Sequence, residues 1–142
     1  MRPRRSAFTL LELTLTMTIV ALCLALVAPR FAALRDGASV RGAVNEIGAT
    51  FADAREMAIV RAAPVAIVFD TAGAAVEIHA NGQSVTRRTL AEVYGVRIES
   101  NRDSAVYDAR GYGYGVSNLS VTVHRGAVAD TLTMSKLGRV RW

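Results

Sequence analysis

Residues 7–28 read AFTLLELTLTMTIVALCLALVA, and this run organises the whole chain. From Phe8 to Ala28 it carries a single charge, Glu12. A helix of that length is about 31 Å long at roughly 1.5 Å per residue. That equals the roughly 30 Å hydrocarbon core of a bilayer. A water-soluble domain has little use for so long an apolar helix. Glu12 lies near the start of the run, where a carboxylate in lipid is costly and usually functional.

Three readings fit an N-terminal run of this kind. Arg2, Arg4 and Arg5 would serve as the basic region of a secretory signal peptide. Its apolar core would then be long and would contain an acid, and the cleavage candidate Cys23-Leu24-Ala25 lies deep inside it. A lipoprotein site at Cys23 would want a small residue just before it, where Leu22 stands. The second reading is a plain membrane anchor. The third rests on Arg5-Ser6-Ala7-Phe8-Thr9-Leu10-Leu11-Glu12, which resembles the type III signal of prepilins. That signal is a short basic leader and a small residue, followed by Phe-Thr-Leu-x-Glu opening a long apolar helix. The resemblance implies that a prepilin peptidase cuts after Ala7 on the cytoplasmic side and methylates the new amine of Phe8. Glu12 becomes the fifth mature residue, where that family keeps a glutamate for assembly, and Pro29 falls where pilins often place a helix-kinking proline. The residue before the cut is usually Gly in that family and is Ala7 here.

Composition agrees with one membrane helix and one small domain: 142 residues, 51% hydrophobic and 20% charged. The formal net charge of +5 falls to +2 once the three leader arginines leave, so the high pI does not imply nucleic-acid binding. Cys23 is the one cysteine, which rules out an intrachain disulfide. Arginines flank the run almost evenly, with Arg2, Arg4 and Arg5 before it and Arg30, Arg35 and Arg41 after it. The tighter leader cluster favours an N-terminus inside.

After Pro29 an apolar period of three and four continues through Phe31, Leu34, Ala38, Val44, Ile47, Phe51, Ala54 and Ala58. This predicts an amphipathic helix over residues 29–62, ended before Pro64, with a kink or local melt at Pro29. From Pro64 the period switches to two. Strands are expected over 65–69, 76–80, 85–90, 96–99, 105–107, 119–123 and near Leu132 and Met134. Asn81-Gly82 is a hairpin signal. A broad turn is expected between His124 and Asp130, and residues 101–115, rich in Gly and Tyr, read as a loop. The expected architecture is α+β, pilin-like: a cleaved leader (1–7), a transmembrane helix (8–28), its amphipathic continuation (29–62) and an antiparallel β head (63–142).

Val106-Tyr107-Asp108-Ala109-Arg110-Gly111 and Ser135-Lys136-Leu137-Gly138-Arg139-Val140-Arg141 resemble the close of the GspH/FimT family of minor pilin-like proteins. The resemblance implies a minor pseudopilin of a type II secretion pseudopilus. Its partners would be prepilin peptidase, other pseudopilins or pilins, and the inner membrane, with the head in the periplasm. Its alternative is a FimT-like minor pilin that binds DNA for uptake. In that branch Gly138-Arg139-Val140-Arg141 matches the DNA-contact region, with Lys136 and Arg125 near it and Trp142 able to stack on a base.

Enzymatic chemistry has little support, and no cofactor or metal is expected. His79 and His124 alternate with apolar residues on polar strand faces, without soluble cysteines or clustered carboxylates beside them. Ser117, Ser120 and Ser135 lack a nucleophile-elbow setting. Gly111-Tyr112-Gly113-Tyr114-Gly115 has no following Lys-Ser/Thr and is no phosphate loop.

Overall fold

The structure is a computed structural model that describes residues 9–114, 118–135 and 137–141. Ala7, Phe8, Lys136 and Trp142 therefore lie outside the described residues. The chain divides into two compact units, Met1–Leu34 and Arg35–Trp142.

One α-helix, α1, runs over Leu10–Arg61. It stays helical through Pro29, so the local melt expected there is not present. In the first unit its large apolar side chains are exposed, from Leu10 and Leu11 to Phe31 and Leu34. This stretch is long and apolar enough to cross a membrane. The hydroxyls of Thr14, Thr16 and Thr18 donate to the carbonyls of Leu11, Leu13 and Thr14, at 2.9, 2.9 and 2.7 Å. These three hydroxyls are thus satisfied by their own helix, which is what an apolar solvent demands.

In the second unit α1 is buried along Val40, Ala43, Val44, Ile47, Phe51, Ala54 and Ala58. The expected register needs one correction at its start. Ala38 is exposed, while Gly37 and Val40 are buried. Phe31 and Leu34 belong to the apolar exposed stretch and not to the head's core, so counting onward from them set the wrong phase.

The β head holds two antiparallel sheets. The first has the order β3 (Gln83–Thr89), β2 (Ala75–Ala80), β1 (Val65–Asp70), β5 (Ser104–Tyr107), β6 (Gly113–Tyr114). The second has the order β4 (Arg97–Ser100), β7 (Leu119–Arg125), β8 (Val128–Met134), β9 (Val140–Arg141). Asn81 and Gly82, with φ of 55° and 76°, make the tight turn between β2 and β3. A short helix, α2 (Leu90–Tyr94), joins β3 to β4. Alternation buries Val65, Ile67 and Phe69 of β1, and Leu119, Val121 and Val123 of β7. These inner faces and α1 form one core, with the Phe51 ring 6.1 Å from Phe69 and 6.4 Å, edge-on, from Tyr107.

Two further expectations change. The turn before β8 is only Gly126 and Ala127, because the β7–β8 ladder continues to Arg125 opposite Val128. The Gly- and Tyr-rich loop contains β6, whose Tyr114 pairs with Val106.

Candidate functional site

Two places carry the residues expected to matter, and they lie in different units. The first is the start of α1. Thr9 precedes the helix, and its Oγ1 accepts the backbone N–H of Glu12 at 3.2 Å. Thr9-Leu10-Leu11-Glu12 is thus a capping-box sequence, with Thr9 satisfying one of the amide donors that every helix start leaves open. A carboxylate in the first turn also suits the positive end of the helix dipole. The sequence pattern Thr-x-x-Glu carries this signal beside the one of a lone charge in lipid.

The second place is the C-terminal end of the head. The Ser135 N–H donates to the Arg139 carbonyl at 2.8 Å, and the Gly138 N–H to the Ser135 carbonyl at 2.9 Å. The chain reverses here, and Val140 pairs with Met134 and Arg141 with Thr133. Gly138 makes the reversal at φ 77°. A Cβ on it would lie 2.8 Å from the Tyr107 ring and 3.1 Å from the Gly113 backbone nitrogen. Glycine is required here twice over, by backbone conformation and by space. The Tyr107 hydroxyl donates to the Gly138 carbonyl at 3.3 Å, and burial pushes its pKa up to about 12. Val140 is half-buried against the core, while Arg139 and Arg141 are exposed on either side of it. The alternation of a strand therefore displays the two guanidiniums together.

Arg125 does not join them. It lies five positions along β7 from Ser120, the β7 residue opposite Thr133, which puts it about 17 Å along the strand. It is also engaged. Its guanidinium donates to Asp36 at 2.8 Å, to Ser39 at 3.1 Å and to the Tyr94 carbonyl, tying β7 to α1 and α2. Arg88 makes a second tie, from β3 to Glu46 and Asp53 of α1. On the outer side of the first sheet Arg87 bridges Asp70 and Glu77, and His79 bonds Glu77 at 2.8 Å. The Gly73 amide and Arg87 hold the Asp70 carboxyl below its ordinary range. His79, Ser84 and Arg87 do the same for Glu77.

His79 and His124 sit on separate sheets, the second 3.6 Å from Glu99. Among the described residues no three His, Cys, Asp or Glu side chains converge to hold a metal ion. Between α1 and β9 lies a groove of about 640 Å³ with an apolar floor of Phe51 and Tyr107.

Comparison with known proteins supplies two matches. The prokaryotic N-terminal methylation motif matches residues 2–28. The structure is similar to that of the type IV minor pilin FimU of Pseudomonas aeruginosa in two crystal forms. The first gives a TM-score of 0.63 at 15% identity, covering 76% of this chain and 90% of that one. The second gives 0.58 at 15% identity, covering 71% and 90%. No curated protein sequence matches. A prepilin-type N-terminal methylation motif thus opens a chain with the α+β fold of a type IV minor pilin.

Proposed function

We propose that the chain is a minor pseudopilin of a type II secretion pseudopilus, a non-enzymatic assembly subunit. One observation carries this reading: a methylation motif leads into a helix whose apolar side chains are exposed from Leu10 to Leu34, joined to a pilin-like head. Such a helix is stored in the inner membrane and packs among like helices on assembly, with the head in the periplasm. Prepilin peptidase cuts between Ala7 and Phe8. Glu12 then pairs with the methylated amine of Phe8 on a neighbouring subunit, because a carboxylate buried among apolar helices needs a positive partner. Pro29 relieves the helix where lipid gives way to head, by losing one backbone hydrogen bond.

DNA uptake is the second reading, favoured by the joint exposure of Arg139 and Arg141. Lys136 and Trp142 would extend that surface. Secretion is preferred because Gly138 has a sufficient reason in the sheet reversal and the mature charge is only +2.

Deletion of the gene from its own bacterium separates the two. Loss of protein secretion with transformation intact supports the pseudopilin, and the converse supports DNA uptake. Titration of the head with duplex DNA at two salt concentrations gives an independent answer. A DNA-binding head shows a salt slope that falls by about one per phosphate contact removed in Arg139→Ala and Arg141→Ala.

A further inference from the structure

Among the described residues the second sheet ends at β9, whose outer edge pairs with no strand. The Arg139 carbonyl is bonded to the Ser135 amide on the β8 side. Backbone groups alternate sides along an antiparallel strand. Arg139 and Arg141 therefore turn theirs toward β8, and Val140 turns its N–H and C=O away. Among the described residues no strand lies on that outer side.

The groove opens beside this edge. Ala52, Arg55 and Ile59 of α1 form its far wall, with Phe51 and Tyr107 as its floor. Its roughly 640 Å³ falls among ordinary ligand-binding clefts. Ile59 at the end of α1 is 50% exposed and Val60 76%, so the groove continues onto apolar surface. Its charged rim is Arg55, Arg139 and Arg141 against Glu56. None of these four makes an ion pair among the described residues.

We propose that an extended, acidic segment of a neighbouring subunit adds to β9 as a fifth strand and fills this groove. Residues directly opposite each other in a sheet share a face. The residue opposite Val140 enters the groove and must be apolar. Those opposite Arg139 and Arg141 must be carboxylates. The fitting pattern is acidic–apolar–acidic, held by two main-chain hydrogen bonds to Val140 in the manner of β-strand addition. The flanking arginines keep basic strands off an otherwise sticky edge, so the same side chains supply attraction and exclusion. For the source of the strand this rests on the reading as an assembly subunit.

The test uses the full chain in detergent micelles and a dye-labelled, end-blocked peptide, Thr-Glu-Val-Glu-Thr, followed by fluorescence anisotropy. Saturable binding that weakens with added salt is expected. Thr-Lys-Val-Lys-Thr, and the acidic peptide N-methylated at its valine, should each bind at least about tenfold more weakly. Ala52→Trp fills the groove from an exposed helix position and should abolish binding with the fold intact by circular dichroism. The proposal is overturned by no binding of the acidic peptide at about 1 mM. It is equally overturned by equal binding of the lysine peptide or by indifference to N-methylation. Self-association of the chain that Ala52→Trp removes, without peptide binding, would assign the groove to a second copy instead. Methylation at Phe8 is read separately by mass, so failure at the groove leaves the subunit reading standing.

Discussion

Gly138 and Gly82 have nearly the same φ, 77° and 76°. Their surroundings are opposite. A Cβ at Gly82 meets nothing within 4 Å, whereas one at Gly138 lies 2.8 Å from the buried Tyr107 ring and 3.1 Å from the Gly113 nitrogen. Ala in the left-handed region costs about 1 kcal/mol at either position. At Gly138 the clash adds about 1–3 kcal/mol, because the ring is packed against Phe51 and cannot swing aside. Gly138→Ala should therefore cost about 2–4 kcal/mol and Gly82→Ala about 1. Urea unfolding of the compact unit Arg35–Trp142, followed by circular dichroism, measures both. The midpoints should separate with the slope unchanged. Equal losses in the two variants would refute the claim that Gly138 is fixed by the approach of the two sheets. The Gly-Arg ending would then call for a functional explanation rather than a structural one.

Three other outcomes are expected. Arg125→Ala should destabilise the head by about 2 kcal/mol in the same urea assay, since it strands Asp36 and the Tyr94 carbonyl, both partly buried. Acid should destabilise the head through Asp70 and Glu77. Their folded pKa values are depressed, so their contribution is complete above the ordinary values of 3.8 and 4.5 and is lost as pH falls below them. The urea midpoint should hold down to pH 4.5 and drop beneath it, and Arg87→Ala should flatten that acid limb. Glu12→Ala should leave membrane insertion intact or slightly improved, and should reduce incorporation into filaments or minor-subunit complexes, as followed by co-purification. Wild-type incorporation would remove the proposed pairing with Phe8.

The long helix was legible because residues 10–61 hold one secondary structure while an exposed apolar stretch gives way to a one-sided buried face, and each leaves its own pattern. The β2–β3 hairpin was legible because Asn81-Gly82 sets a local turn. The division into two sheets was not. It depends on β5 pairing with β1 and β4 with β7, contacts across long stretches that no local period encodes. Helix α2 has five residues, too few for a period of 3.6 to appear. At the C-terminal end, alternation correctly set Arg139 and Arg141 on either side of Val140. Arg125 was misplaced because the β7–β8 turn is two residues, not a broad loop, which carries Arg125 to the far end of the strand.

The assembly role proposed for the chain depends on what happens at Ala7 and Phe8. Intact mass and N-terminal peptide analysis of the chain, produced in a host with a prepilin peptidase, tests it most directly. The expected product begins at Phe8 and carries one methyl group on its amine. A chain still beginning at Met1, or one beginning near Pro29, would contradict it and leave an anchored or secreted domain with a pilin-like fold.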